Sequence, residues 1–121
     1  MANPEHVEIL KQCMEVWNKW REENPEVEID LSQIDLFQAD LCKANLRRVN
    51  LAKANLGRTN LCRTDLSYAD LTGTNFYRAD LSHADLRGTN LYENDLRWAI
   101  LSDTDLRGAT LINCSIYAVS A

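Results

Sequence analysis

Side chains able to act as nucleophiles, bases or metal ligands are few in this chain of 121 residues. The two histidines, His6 and His83, stand alone in the sequence, and we expect both to lie on the surface. The four cysteines lack the C-x-x-C spacing that is typical of zinc sites. The sequence also lacks a nucleophile–base pair, a glycine-rich phosphate loop and a metal-ligand constellation. We therefore predict no catalytic residues, no cofactor, no metal and no enzyme activity.

A five-residue period determines where most of the other side chains point. Phe76, Ile116 and sixteen leucines stand at every fifth position from 31 to 116, which makes eighteen consecutive units. A helix would spread these residues around its axis, and a flat strand would send them to alternate faces. A coil that turns a corner every five residues keeps them all inside. Four sides then bring residue n+20 under residue n, about 4.8 Å away, so the period predicts an all-β solenoid.

The other positions of each unit support this prediction. Small residues, mostly alanine and threonine, stand two positions before the leucine, and aspartate or asparagine stands one before it. Asp and Asn side chains bond readily to nearby backbone and suit corners. The unit A-[DN]-L-x-x resembles the pentapeptide-repeat family. That resemblance implies a right-handed quadrilateral parallel β-helix over residues 29–118, followed by a short tail at 119–121.

Residues 1–28 predict an α-helical cap on this solenoid. Asn3 is the expected N-cap, Pro4 lies in the first turn, and Pro25 ends the helix. Two apolar rows form one broad face on the helix: Val7, Leu10, Met14 and Trp17, and Ile9, Cys13, Val16 and Trp20. We expect this face to cover the open first coil, with Trp17 and Trp20 as plugs. The segment is similar to the helical cap of many cyanobacterial family members.

One side of the predicted solenoid combines aromatic and cationic residues. The column rule places seven of them there: Phe37, Arg58, Tyr77, Arg78, Arg97, Trp98 and Tyr117. Such a mixture is typical of binding hot spots, and a cation–π contact is available between Arg78 and Trp98. The sequence favours a non-enzymatic module that binds an unidentified protein, with a regulatory role in a cyanobacterium as the narrower hypothesis. Ordinary surface residues that stabilise one another are the alternative.

The net charge of −5 lies mainly on the cap. Residues 1–28 hold seven acids and three bases, whereas residues 29–121 hold eleven acids and ten bases. The family includes members that protect topoisomerases by imitating DNA, which requires a long and strongly acidic rod. This rod is short and nearly neutral, so a topoisomerase-binding DNA mimic is the less favoured alternative. An acidic outer face of the cap could also dock a basic partner through Glu8, Glu15 and Glu22.

A second side carries Arg47, Arg87 and Arg107 in one column, with Arg48 beside them. Such a column could attract anions or nucleic acid. We expect the neighbouring carboxylates of Asp65, Asp85 and Asp105 to neutralise these arginines, so we do not expect nucleic-acid binding.

Two cysteines share another outward column, one coil apart. The backbones of Cys42 and Cys62 should lie about 4.8 Å apart, inside the range that a disulfide accepts. A redox-sensitive scaffold with a Cys42–Cys62 disulfide is therefore a further alternative to a pair of reduced thiols. Cys114 should point inward and be inert.

The two ends of the chain predict its location and assembly. No signal peptide and no membrane-spanning stretch is visible, so we predict a cytoplasmic protein without membrane association. The last units drift from the repeat, with Ile100 in place of Asp or Asn and Ile112 in an outward position. We expect the apolar C-terminal end to be covered by its own tail or by a second molecule, which gives a monomer or an end-to-end dimer.

Overall fold

Parallel bridges between residues twenty positions apart build the body of the molecule. In the computed structural model they run from Asp30 with Asn50 to Asp95 with Ser115. Between residues 30 and 115 each bridge is a single residue pair, repeated at every fifth residue, and no longer strand forms. The structure describes residues 1–117, so the predicted end of the repeat region at Ala118 and the tail at 119–121 lie outside the described part. The predicted twenty-residue coil is confirmed.

The coils have four sides, which we number by their inward residues. Side 1 is centred on Leu31, Leu51, Leu71, Leu91 and Leu111; side 2 on Leu36, Leu56, Phe76, Leu96 and Ile116; side 3 on Leu41, Leu61, Leu81 and Leu101; side 4 on Leu46, Leu66, Leu86 and Leu106. These residues are buried from 31 to 96 and become partly or well exposed from 101 onward. Full burial of a leucine side chain contributes about 1.5–3 kcal/mol, so the stacked leucines are the main source of stability.

Most corners are tight turns closed by the Asp or Asn before the leucine, with Ile100 and Thr110 as exceptions. On side 1 the amide of Ser32 donates to Oδ1 of Asp30 at 2.8 Å, and the amide of Ile34 donates to the carbonyl of Leu31 at 3.3 Å. The second residue after each leucine has a positive φ, such as 53° at Arg58, as type II turns require. Fourteen of these residues are not glycine, and each accepts a conformation that costs about 1–2 kcal/mol.

The cap consists of two helices, and the prediction of one continuous helix is wrong. α1 spans Pro4–Leu10 and α2 spans Met14–Glu23. Asn3 is the N-cap, as predicted, because its Oδ1 accepts a hydrogen bond from the amide of Glu5 at 2.9 Å. A single helix of twenty residues would be about 30 Å long and would extend beyond the open end of the narrow solenoid. Two short helices fold back on each other and stay over that end. Both helices are too short and too polar to cross a lipid bilayer.

The break also changes which cap residues pack against the solenoid. Trp17 is the predicted plug, with 0% of its surface exposed, whereas Trp20 is only half-buried. Cys13 and Val16 are exposed, so the second predicted apolar row packs against the core only through Ile9 and Trp20. On α2, Met14, Trp17 and Trp20 therefore contact the core, and Val16 does not.

Polar side chains of α2 replace the missing coil above side 4. Nε1 of Trp17 donates to the carbonyl of Asn45 at 2.8 Å, and the amide of Asn45 donates to Oδ1 of Asn18 at 2.7 Å. The guanidinium of Arg21 donates to the carbonyl of Arg47. In the interior of the solenoid the same backbone groups bond to the coil before them, so α2 satisfies an edge that would otherwise be open.

Candidate functional site

Five of the seven residues predicted for the partner face form one contiguous group on side 2. The guanidinium carbon of Arg78 lies 5.5 Å from the ring centre of Tyr77 and 5.9 Å from that of Trp98. Arg97 lies 5.3 Å from the Tyr77 ring, and Trp98 meets Tyr117 edge-on with ring centres 5.9 Å apart. We call these five residues the aromatic–arginine cluster. The predicted cation–π contact between Arg78 and Trp98 is confirmed.

The other two residues of the predicted face lie apart from this cluster. Phe37 lies on the first coil, where its ring covers Gly57 so closely that a Cβ there would be 3.1 Å from a ring atom. Within residues 1–117 no ring–ring or cation–π contact joins Phe37 or Arg58 to the cluster. The candidate site therefore occupies the C-terminal half of side 2 and not its whole length.

The two arginines of the cluster differ in charge balance. Arg97 donates from Nε and Nη2 to the carboxylate of Asp95 at 2.9 and 2.8 Å, and this pairing lowers the pKa of Asp95. Arg78 has no carboxylate within 4.0 Å in the described part of the chain. One guanidinium is thus neutralised inside the molecule, and the other is available to a negative group from outside.

On side 4 the predicted neutralisation of the arginines by neighbouring aspartates is confirmed for Arg87 and Arg107. Nε and Nη2 of Arg87 donate to Asp85 at 2.8 and 2.7 Å, and Arg107 makes the equivalent bonds to Asp105. The hydrogen bonds from Arg107 lower the pKa of Asp105 to about 2, so its carboxylate stays charged over the physiological range. For Arg47 the prediction is wrong, because no carboxylate lies within 4.0 Å of it in residues 1–117.

Tyr68 on side 4 is a candidate binding residue that the sequence reasoning missed. Its side chain is 51% exposed, and its ring lies under the guanidinium groups of Arg47 and Arg48, at 4.8 and 5.9 Å. The ring also covers Gly88, where a Cβ would lie 2.6 Å from two ring atoms. An aromatic residue with glycine twenty positions later was the available signal, and Phe37 with Gly57 shows the same pattern.

The cysteines lie where the repeat predicts. Cys42 and Cys62 are free thiols, both half-buried in the same outward column on side 3. The neighbouring Cys42 thiol, together with burial, raises the pKa of Cys62 to about 11. Sγ of Cys114 points inward and donates to the carbonyl of Leu91. Cys13 is exposed at the N-cap of α2.

One of the two histidines is not on the surface. His6 is buried in α1, where its ring lies 5.6 Å from that of Trp20, so the expected surface position is wrong for this residue. The fold-back of the two helices encloses it. His83 is exposed on side 3, as expected, with Nε2 3.7 Å from Oδ2 of Asp103. Within residues 1–117 no group of three or more His, Cys, Asp or Glu side chains is arranged to hold a metal ion.

Comparison with known proteins identifies the family. The family described as pentapeptide repeats matches residues 29–67, 54–91 and 95–118, with 8 copies. The crystal structure of Rfr23, from the cyanobacterium Cyanothece 51142, is 35% identical with a TM-score of 0.66. That match covers 66% of this chain and 54% of Rfr23, so the chain spans about half the length of that relative.

A second solved structure covers more of both chains. The pentapeptide repeat protein alr5209 from Nostoc PCC 7120 is 33% identical with a TM-score of 0.66, and the match covers 72% of this chain and 75% of that one. A comparison with curated protein sequences finds no match. The prediction of a right-handed quadrilateral parallel β-helix is confirmed by these relatives and by the bridge pattern. The chain belongs to the pentapeptide-repeat family.

Proposed function

We propose that this protein is a non-enzymatic interaction module that binds a partner protein through the aromatic–arginine cluster. Pentapeptide-repeat proteins are in general non-enzymatic structural modules. The observation that carries the proposal is the exposed stack of Arg78 between Tyr77 and Trp98. A regulatory role in a cyanobacterium stays the narrower hypothesis, and the cyanobacterial origin of Rfr23 and alr5209 supports its second half only. The cytoplasmic location stays a prediction.

The cluster has the chemistry of a binding hot spot. Trp98 is 48% exposed and Tyr117 71% exposed, so large ring surfaces remain in water. Within residues 1–117 no carboxylate pairs with Arg78, and its position over two rings fixes the direction of its donors. A partner surface with carboxylates beside apolar side chains would bury the rings and pair with Arg78. Because the coils hold the cluster rigid, little conformational entropy would be lost on binding.

Affinity capture from a lysate of the source organism tests this proposal. We expect the wild-type protein to retain a specific partner and the double variant Arg97→Ala/Trp98→Ala to lose it by tenfold or more, about 1.4 kcal/mol. The double variant Tyr92→Ala/Glu93→Ala is the matched control, because it removes an exposed aromatic and a charged residue from side 1 of the same coil. A partner that both double variants retain equally would contradict the proposal.

The DNA-mimic alternative receives less support. A mimic needs negative charge along its whole length. Here the residues from 29 to 121 hold eleven acids and ten bases, and several of those acids are already paired with arginine on sides 2 and 4. These ion pairs weigh against a continuous acidic surface.

The position of the free thiols of Cys42 and Cys62 in one outward column favours a redox-sensitive scaffold as a second candidate. Oxidation by a peroxide would join the two sulfur atoms, and the two thiol hydrogens would leave with the reduced peroxide as two molecules of water. We expect peptide mapping after hydrogen peroxide treatment to find a Cys42–Cys62 link in the wild type and none in Cys42→Ser. The idea fails if exposed Cys13 is oxidised while Cys42 and Cys62 remain reduced.

For the oligomeric state we propose two alternatives, a monomer and a dimer joined end to end at the C-terminal coil. Leu111, Ile112 and Ile116 are all exposed at the last described coil. An end-to-end dimer would bury this apolar surface, and the chain beyond residue 117 would cover it in a monomer. Light scattering over a wide range of protein concentration distinguishes the two: a constant molar mass near 13.8 kDa excludes the dimer.

A further inference from the structure

Arg47 differs from the other arginines that directly follow an inward leucine. The others are Arg87, Arg97 and Arg107. Each of them donates hydrogen bonds from Nε and Nη2 to the aspartate two positions earlier. In the unit of Arg47 that position holds Asn45, and Nη1 of Arg47 donates instead to Oγ of Ser67 at 2.9 Å. Arg47 therefore keeps its positive charge without an internal carboxylate partner in residues 1–117.

Two further guanidinium groups lie beside Arg47. Arg48 faces the same Tyr68 ring, and Arg21 donates to the backbone carbonyl of Arg47. Arg21 and Arg48 also line one cleft of about 600 Å³. In the described part of the chain, neither Arg21 nor Arg48 has a carboxylate within 4.0 Å. Positive charges gathered in this way repel one another, and the Tyr68 ring compensates only in part.

Arg21 adds an unused donor to this group. Its Nε is buried and has no hydrogen-bond partner within residues 1–117. Burial lowers the pKa of Arg21, and the nearby carboxylate of Asp65 opposes that shift. Guanidinium groups whose donors are not used inside the protein are well suited to bidentate recognition of phosphate.

We propose that Arg47 and Arg48, which both lie over the Tyr68 ring, together with Arg21 beside Arg47, bind a small multivalent oxyanion of the phosphate type. The same cleft is also lined by three carboxylates: Glu26, Glu28 and Asp30. These carboxylates repel any anion that enters the cleft, and Arg47 and Tyr68 do not line it. The ligand is therefore a compact anion held over Tyr68, outside the cleft, and not a long polyanion such as nucleic acid. The site lies on side 4 and the cap, on the face opposite the aromatic–arginine cluster, and it does not depend on that cluster.

Calorimetric titration of pyrophosphate at constant ionic strength tests the site. Asn45→Asp gives Arg47 the aspartate that Arg107 has, and Arg48→Gln removes one positive charge. Arg107→Gln is the matched control, because Arg107 lies in the column of Arg47 but is already neutralised by its aspartate. We expect equal pyrophosphate affinity in the wild type and Arg107→Gln. Asn45→Asp and Arg48→Gln should each weaken binding by about tenfold or more, the effect of losing a charge-assisted hydrogen bond.

Two features keep this test decisive. Asn45→Asp introduces the aspartate that the same column holds in the following coils, at Asp65, Asp85 and Asp105. We therefore expect this variant to fold, and a circular dichroism melt checks this. The proposal is overturned if the wild type does not bind pyrophosphate. It is also overturned if Arg107→Gln weakens binding as much as Arg48→Gln does.

Discussion

Trp17→Ala is expected to lower the free energy of unfolding by about 3–5 kcal/mol, a large part of the stability of a small domain. Trp17 has none of its surface exposed, its ring centre lies 5.7 Å from that of Trp20, and its Nε1 donates to the carbonyl of Asn45. The substitution leaves a cavity between α2 and the first coil and an unpaired backbone carbonyl. Urea unfolding followed by circular dichroism measures the loss.

Two further variants separate the causes of this effect. Trp17→Phe keeps an aromatic ring and removes the N–H donor, so we expect a smaller loss of about 1–3 kcal/mol, the cost of an unsatisfied buried acceptor. Trp98→Ala removes an exposed tryptophan from side 2 and should cost about 1 kcal/mol or less. If Trp17→Ala costs no more than Trp98→Ala, the cap does not belong to the cooperative unit, and our description of it is wrong.

Leu71→Ala is expected to cost about 2–5 kcal/mol, whereas Leu111→Ala should cost about 1 kcal/mol or less. Both leucines are inward residues of side 1 in the same column. Leu71 has 0% of its surface exposed, because a coil lies on either side of it, and Leu111 is 45% exposed at the last described coil. Deleting Leu71 therefore creates a cavity, and deleting Leu111 removes atoms that already contact water. Urea unfolding of both variants measures the difference.

Protein concentration adds information about assembly to the same experiment. If the C-terminal end is buried in an end-to-end dimer, the cost of Leu111→Ala should rise with concentration, because association stabilises the folded chain by mass action. In a monomer that cost should be constant. Equal losses for Leu71→Ala and Leu111→Ala at low concentration would contradict the burial gradient along the rod.

The repeat itself was predictable because its signal is local and periodic. A leucine at every fifth position can be buried only if the chain turns at every unit, and the bridges between residues twenty positions apart confirm that turn. The Asp and Asn turns were predictable for the same reason, since each side chain bonds within its own unit, as Asp30 does with Ser32. The cation–π contact between Arg78 and Trp98 followed directly from the column rule.

The candidate sites were only partly predictable. The columns placed Phe37 and Tyr117 on one side, yet Phe37 turns onto Gly57 and leaves the cluster. Tyr68 was missed because its position over Gly88 depends on which way a long side chain leans along the rod, which periodicity does not report. The unpaired state of Arg47 depends on a single amide at Asn45, where the neighbouring coils have a carboxylate.

The coil, its inward residues and its columns follow from the sequence alone, because a strict period admits only one way to bury every leucine. Packing in the folded chain sets the break between α1 and α2, the burial of His6 and the bonds of α2 to the first coil. It also sets the left-handed backbone at residues such as Arg58, which residue type does not favour. These features depend on contacts between distant parts of the chain, whose packing and hydrogen bonds outweigh local preference.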